Sequence, residues 1–291
     1  WMRQNETMVA YTTNTAIKTG AVTGVTGKTV PFNAYDAASL PQTNVDGKVD
    51  TGLANIELTS RPLQNMQVKA GYRYNVYSNK TGQITFPGYA RMDAVWEPDP
   101  IENLPAGYRK GTAALDLRFD LPRASGLTLG FTSDVFTRTH REVARSDENT
   151  YRMAFDTALV DWFNLRTSYE MSKRAGDYDY TVPFEEIIKD GNNPTQHHWL
   201  RKYDEANRDR DRLQLLVSAN PIEALTLTGS VITGKDYFPD SPFGLLNDSH
   251  NIYALDVDCA VSERVGVNFF YDQGRYNASQ KSRQWTPNGT G

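Results

Sequence analysis

Hydrophobic and polar residues alternate with a period of two along most of this chain, and this alternation restricts the fold more than any other feature. Residues two positions apart lie on the same side of a β-strand, so a strand with this pattern has one apolar and one polar face. The clearest example is Met66–Val76, where Met, Val, Ala and Tyr occupy the even positions and Gln, Lys, Gly, Arg and Asn the odd ones. The pattern predicts an all-β protein.

About eleven strands are predicted in this way, and the contrast between the two faces is smallest in the first of them. They lie at Met2–Thr12, Gly47–Thr59, Gln64–Tyr77, Thr112–Asp120, Leu127–Arg138, Tyr151–Leu159, Phe163–Arg174, Arg212–Ser218, Leu225–Thr233, Tyr253–Cys259 and Val265–Asp272. Several are long enough to cross a bilayer at a tilt near 45°.

The predicted connections alternate between short and long. Short turns are expected at Ser60–Leu63, Leu121–Gly126, Asp161–Trp162, Asn220–Ala224 and Ser262–Arg264, and long loops at Thr13–Asp46, Ser78–Tyr108, His140–Glu148, Gly176–Ala206 and Phe238–Ser249. Outer-membrane barrels have short periplasmic turns and longer extracellular loops. The sequence therefore predicts an antiparallel transmembrane β-barrel meander with that arrangement of turns and loops.

The positions of the charges support a membrane-facing apolar side. A lipid-facing Arg or Lys at the bilayer midplane costs about 2–4 kcal/mol, and the outward charges found, Asp161 and Lys173, both lie at strand ends. A soluble antiparallel sandwich or β-solenoid also alternates and is the alternative fold.

The polar faces carry charges of both signs at mid-strand. The residues predicted to face the lumen are Arg73, Asp116, Arg118, Asp134, Arg138, Arg152, Asp156, Arg166, Glu170, Arg208, Arg210, Arg212, Asp256 and Asp258. Mixed charges of this kind form cross-strand pairs or present a polar wall to water or to a protein plug. The three arginines of the run 208–212 form either a cationic ladder near the extracellular mouth or a rim that is paired with neighbouring strands.

Composition excludes several other classes of protein. No apolar run approaches 18 residues, so no transmembrane helix is expected, and the net charge of -4 provides no basic field for nucleic acid. The single cysteine, Cys259, excludes a disulfide framework and a Cys-x-x-Cys-His haem attachment within this sequence.

His140 beside Arg141 and Glu142 is the best candidate for a surface catalytic or metal site, and the pair His197 and His198 lacks partners at ligand spacing. We expect no catalytic residue, no metal site and no cofactor bound by this chain.

Several short segments of the sequence resemble those of the MtrB/PioB-type, decahaem-associated outer-membrane β-barrel family. They occur in order at Ser60–Leu63, Tyr72–Tyr74, Ser78–Thr81, Thr85–Tyr89, Thr139–Val143, Asp147–Arg152, Tyr203–Arg212 and Phe243–Leu246. These segments lie in predicted loops and at predicted strand edges, and none is a catalytic signature.

The resemblance implies a scaffold and not an enzyme. It implies that the barrel, in the bacterial outer membrane, sheathes a periplasmic multihaem c-type cytochrome in its lumen, with an extracellular multihaem cytochrome as a further partner. The haem is then carried by the cytochrome. The alternative function is an outer-membrane porin or uptake channel that passes solutes through a polar lumen.

Members of that family are much larger barrels. An odd number of strands does not close a bacterial antiparallel barrel, and the chain opens at Trp1 without a signal sequence and ends in a Pro, Asn and Gly tail. We therefore expect residues 1–291 to form a single β-barrel domain that is a middle to C-terminal portion of a larger barrel.

Overall fold

The computed structural model describes residues 1–13, 21–23, 29–31, 35–91, 95–97, 100–179 and 200–282. Ten long strands dominate this part of the chain. They are β1 (Gly47–Leu63), β2 (Met66–Asn79), β3 (Tyr108–Leu121), β4 (Ser125–Arg138), β5 (Arg145–Val160), β6 (Phe163–Gly176), β7 (Arg208–Ile222), β8 (Leu225–Tyr237), β9 (Phe243–Ser262) and β10 (Val265–Lys281). The prediction of an all-β chain is confirmed.

Each long strand pairs antiparallel with the next one in the sequence, so the sheet is a simple meander. The connections at one end are two or three residues long, at 64–65, 122–124, 161–162, 223–224 and 263–264. Those at the other end are 80–107, 139–144, 177–207 and 238–242. The predicted separation of short turns from longer loops is confirmed, and we call the two ends the short-turn end and the long-loop end.

Short elements accompany the long strands. They are the strands Met2–Gln4, Ala21–Thr23, Thr29–Pro31, Thr85–Phe86, Tyr89–Arg91, Val95–Glu97, Ile101–Glu102 and Leu200–Arg201, and the 3-10 helix Ala37–Ser39. No helix among the described residues is long and apolar enough to cross a membrane.

The strand predicted at Met2–Thr12 is much shorter than expected. Only Met2–Gln4 pairs with β1, along Gly47–Val49. Beyond Gln4 the chain leaves the sheet, because Thr7 and Met8 pair with residues 43–44, which precede β1.

Two predicted loops are shorter than expected because the strands extend into them. The loop predicted at Phe238–Ser249 contains the start of β9, where Asp248 lies opposite Asp236 of β8. The loop predicted at His140–Glu148 contains the start of β5. These strand ends are rich in polar residues, which the sequence pattern does not distinguish from a loop.

Large apolar side chains remain exposed on one side of the sheet. In the antiparallel register they share that side, and they include Tyr72, Leu115, Leu129, Tyr151, Met153, Tyr169, Met171, Leu213, Tyr253, Leu255, Val267, Phe269 and Tyr271. The buried hydrophobic residues of the described chain, Val49, Ile84, Val143, Ala206 and Phe238, lie instead at the long-loop end. A soluble sandwich would bury the first group, so the exposed side chains argue against that alternative.

The sheet is open in the described part of the chain. The outer edge of β1 pairs only with Met2–Gln4, and the described residues place no strand on the outer edge of β10. Two edges with unpaired backbone groups are left at opposite sides of the meander.

Candidate functional site: the charged face of the sheet

The strand register determines which side chains share a side of the sheet, because directly opposite residues in an antiparallel pair point the same way. Arg73 lies opposite Thr112, Thr112 opposite Asp134, Asp134 opposite Glu148 and Glu148 opposite Arg174. We call this side the polar face and the other side the apolar face. The register places all fourteen predicted residues on the polar face: Arg73, Asp116, Arg118, Asp134, Arg138, Arg152, Asp156, Arg166, Glu170, Arg208, Arg210, Arg212, Asp256 and Asp258. That this face lines a lumen stays a prediction.

An ion pair joins Asp116 of β3 to Arg152 of β5, across the intervening strand β4. The guanidinium Nη2 of Arg152 lies 2.9 Å from Oδ1 of Asp116. Gly130 of β4 lies between them in the register, and a Cβ there would be 2.6 Å from the same carboxylate oxygen. Glycine is therefore needed at position 130 for the two side chains to meet.

A second pair crosses β4 nearer the short-turn end. Arg118 donates two hydrogen bonds to Asp156, of 2.8 and 3.0 Å. They pass over Gly126, where a Cβ would collide with the Arg118 guanidinium. Asp156 also lies directly opposite Arg166 of β6.

The arginine run 208–212 is partly neutralised by neighbouring strands. Arg210 donates two hydrogen bonds to Asp236 of β8, of 2.6 and 2.7 Å. Arg208 bonds Glu148 of β5 at 2.7 Å and lies 3.6 Å from Asp236. At Arg208 and Arg210 the structure therefore favours the paired rim over a free cationic ladder.

Two further acidic residues of the polar face, Glu170 and Asp134, also lie beside basic residues. Glu170 lies in register between Arg152 and Arg212. Asp134 accepts a hydrogen bond from Thr112, and its carboxylate lies 3.3 Å from Nζ of Lys110.

Two other arginines of the polar face, Arg138 at the long-loop end and Arg73 at mid-strand, have different surroundings. Arg138 donates to the Ser146 hydroxyl at 3.1 Å and lies over the Phe136 ring, 3.8 Å from its centroid. Arg73 borders a shallow notch that it shares with Glu57 and Lys69, which form a 3.0 Å ion pair.

The last two long strands differ from the others in charge. Asp256 and Asp258 of β9 both accept hydrogen bonds from the side-chain amide of Asn268, at 3.2 and 2.9 Å. Asp248 and Asp272 lie on the same face, and the described residues of β9 and β10 place no Lys or Arg there. The polar face is therefore charge-paired over most of the sheet and acidic at one edge.

The polar face is a charged surface whose ion pairs remain partly exposed. Exposed ion pairs of this type contribute about 0–1 kcal/mol each to stability. Among the residues that the structure describes, no group of three His, Cys, Asp or Glu side chains converges as a metal site.

The residues around His140, the best sequence candidate for a catalytic or metal site, are held in ion pairs. Arg141 bonds Glu205 and Asp204, and Lys202 bonds Glu142. His197 and His198 lie outside the described residues. Cys259 lies on the apolar face, opposite Leu225 and Val267.

Residues 141–143 and 202–206 pack together, which the sequence did not predict. We call these two segments the loop clamp. The carboxylates of Glu142 and Glu205 are almost completely buried in it. Burial raises the pKa of Glu205 above its ordinary value, although Arg141 opposes the shift. Burial, with the nearby Glu142 and Glu205, also raises the pKa of Tyr178 to about 12. The nearest signal in the sequence is the coincidence of opposite charges in two separate loops, and sequence alone does not show that those loops meet.

Comparison with known proteins identifies the family. A family model described as outer membrane beta-barrel porin, MtrB/PioB, matches residues 1–290. The outer membrane protein MtrB of Shewanella baltica (strain OS185) is 23% identical over 259 residues, which are 87% of this chain and 35% of that protein. The chain thus spans about a third of the length of this curated relative.

Among solved structures, the outer membrane channel DcaP of Acinetobacter baumannii aligns with 94% of this chain and 88% of its own, with a TM-score of 0.38 and 8% identity. So distant a likeness adds nothing to the assignment, which rests on the family model and on the β meander. The chain is a protein of the outer membrane and belongs to the MtrB/PioB family of β-barrel porins.

Proposed function

We propose that this chain forms part of an outer-membrane β-barrel that sheathes a multihaem c-type cytochrome in a conduit for electrons across the outer membrane. The observation that carries the proposal is the division of the sheet into an exposed apolar face and a charged polar face. The family is one of barrels and porins and not of enzymes, so the barrel serves as scaffold while its partner carries out the redox chemistry.

The two faces suit the two environments of such a sheath. The apolar face contacts the hydrocarbon, which is about 30 Å thick, and the polar face lines the lumen. A polar lumen accepts a water-soluble cytochrome, whose haems then remain close enough together for electron transfer through an insulating layer. A second multihaem cytochrome at the long-loop end would complete the path to the outside.

The haem belongs to the partner in this proposal. A c-type haem is attached through a Cys-x-x-Cys-His motif, and the present sequence contains one cysteine. That residue, Cys259, lies on the apolar face and so points to lipid and away from the cytochrome.

We further propose that these residues are one portion of a single, larger barrel domain. A sheet edge exposed to lipid leaves backbone groups unpaired at a cost of several kcal/mol each, so barrels close. In the described part of the chain, both outer edges of this meander are open over most of their length. Additional strands of the same polypeptide, next to β1 and β10, would close them.

The rival function is a porin or uptake channel that passes solutes through the same lumen. The family description as a porin favours it, as does the hydrated polar face, where the Arg152 side chain is 45% exposed despite its ion pair. The two functions differ in what fills the lumen: a cytochrome or water.

Electron transfer across vesicles separates the two functions. The whole polypeptide is inserted into liposomes that contain a redox dye, with or without its multihaem cytochrome, and a membrane-impermeant reductant is added outside. A conduit bleaches the dye only when barrel and cytochrome are both present, and the two co-purify as a haem-staining complex in detergent. Dye leakage or sugar uptake that is unaffected by the cytochrome would instead support the porin.

A matched pair of variants tests whether the polar face contacts the partner. Changing both Asp256 and Asp258 to Asn removes charge from the polar face, whereas changing Asp209 and Asp211, on the apolar face near the long-loop end, removes the same charge from the opposite side. We expect only the first variant to weaken co-purification of the cytochrome, and to do so less at high salt, where exposed charges are already screened.

A further inference from the structure

The loop clamp contains the largest fully buried side chains of the described chain. Val143 is fully buried and Glu205 is 1% exposed. Strand residues of both faces are, in contrast, mostly half-exposed. A described loop region that contains fully buried side chains has a defined packed structure.

Arg174 of β6 attaches the clamp to the sheet. Its guanidinium donates three hydrogen bonds to backbone carbonyls of the turn 202–206: 2.6 Å to Tyr203, 3.0 Å to Asp204 and 2.9 Å to Ala206. Three charge-assisted bonds from one planar group hold both the position and the orientation of the turn.

The clamp lies on the polar face. Arg174 shares that face with Glu148 and Arg208, its register neighbours. Gly176 is on the same side and contacts the other half of the clamp, since a Cβ there would lie 2.8 Å from Cγ1 of Val143. The Ser172 side chain, on the polar face two residues before Arg174, is also buried, and its hydroxyl donates to Glu148 at 2.8 Å.

Among the described residues, none covers the opposite side of the sheet at this level. Lys173 and Ala175 of β6 point to the apolar face and are exposed, as is Arg145 of β5. Residues 141–143 and 202–206 therefore pack against the polar face and not against the apolar face.

Ion pairs join the two halves of the clamp. Arg141 bonds Glu205 and, at 2.7 Å, Asp204, while Lys202 bonds Glu142. Burying a carboxylate without a partner costs several kcal/mol, so packing Glu142 and Glu205 in the clamp requires Lys202 and Arg141 beside them. The clamp is therefore fixed to the sheet by Arg174 and fixed internally by these pairs.

We propose that the loop clamp is a constriction that narrows the barrel lumen at the long-loop mouth and limits the size of what can pass. The proposal rests on the polar face lining the lumen, as in the proposed function. Layers packed on the face of a sheet lie about 10 Å from it. The clamp thus removes about that depth from the lumen along the sector formed by β5 to β7.

Size exclusion by the cytochrome-free barrel tests the proposal. The whole polypeptide is inserted into planar bilayers, and polyethylene glycols of graded size are added to find the largest polymer that enters and lowers the conductance. We expect Arg174→Ala to release the turn, so that polymers excluded by the unmodified barrel now enter. Lys173→Ala is the matched control, because it removes a neighbouring cation from the opposite face, and its size limit should be unchanged.

Two further measurements keep the outcome clear. Arg141→Ala loosens the clamp from the other loop and should widen the mouth in the same way if Arg174→Ala does not fold, as judged by heat-dependent electrophoretic mobility. An unchanged size limit in folded Arg174→Ala and Arg141→Ala barrels would overturn the constriction, as would equal widening by Lys173→Ala.

Labelling separates failure of this proposal from failure of the proposed function. Ser168 lies at mid-strand on the polar face, and Ser168→Cys in a Cys259→Ser background should react with a water-soluble maleimide. No reaction would refute a water-filled lumen and the constriction with it. Reaction together with absent electron transfer would refute the conduit and leave the constriction in place.

Discussion

Placing an arginine at Leu115 is the sharpest test of the division between the two faces. Leu115 is the eighth of the fourteen residues of β3, 40% exposed on the apolar face between Ala70 and Phe131. At about 3.4 Å per residue it lies about 20–24 Å from either end of the strand, and so near the bilayer midplane. A lipid-facing Arg at that depth costs about 2–4 kcal/mol, which corresponds to a decrease of about 30- to 700-fold in the folding equilibrium constant.

Two controls lie next to Leu115 on the same strand. Ala114→Arg introduces the same side chain at the same depth on the polar face, where its register neighbours are the small residues Gly71 and Thr132. Asp116→Asn removes only the exposed ion pair with Arg152 and should cost about 0–1 kcal/mol. Both should fold nearly as well as the unmodified chain.

The assay is refolding of the whole polypeptide from urea into lipid vesicles. The folded fraction is followed by heat-dependent electrophoretic mobility and by tryptophan fluorescence, and urea titrations give the free energy of unfolding. If Leu115→Arg and Ala114→Arg lose the same free energy, the apolar face does not contact lipid, and the assignment of the two faces is wrong.

Three other predictions concern single sites. Gly130→Val should separate the Asp116 and Arg152 side chains and so remove about 0–1 kcal/mol of ion-pair stability, because its Cβ would lie 2.6 Å from the Asp116 carboxylate. This loss should disappear in an Asp116→Ala background, where neither the clash nor the pair is present, and full additivity in a double-mutant cycle of urea midpoints would contradict it. Burial raises the pKa of Glu205, so the closed clamp binds a proton on this carboxylate more tightly than an open loop does. The stability of the clamp should therefore fall as pH rises from the ordinary glutamate pKa through the raised one. Hydrogen exchange of the Ala206 amide, corrected for intrinsic rates, should be slower at pH 5 than at pH 7, and Glu205→Gln should abolish this pH dependence. Cys259 should react in vesicles with a membrane-permeant maleimide and not with a charged one, and equal reaction with both would place it in water.

Sequence predicted the strands because period-two alternation is imposed directly by the different environments of the two faces. All fourteen polar-face residues, from Arg73 on β2 to Asp258 on β9, lie on the side of the sheet that the period-two alternation predicts. The sorting of turns and loops was also accessible, since turn residues interrupt the alternation at regular places.

The ion pairs between strands and the packing of the loops depend on contacts that the alternation pattern does not specify. Asp116 and Arg152 are 36 residues apart, and their meeting depends on the register of three strands and on a glycine between them. The loop clamp depends on two loops folding onto the same face, which neither loop specifies alone. The starts of β5 and β9 were missed because strands that extend beyond the apolar zone no longer alternate.

The forces that hold the fold differ in size from those that give the polar face its character. In lipid each unpaired backbone group costs several kcal/mol. The barrel is therefore determined by the backbone hydrogen bonds between strands and by whether each position carries an apolar or a polar side chain. Ion pairs such as Arg118 with Asp156 add about 0–1 kcal/mol each. Their identities are therefore free to change to suit whatever occupies the lumen, while the fold persists. A relative of the same family can therefore differ widely in sequence, and the MtrB protein of Shewanella baltica is 23% identical over 259 residues.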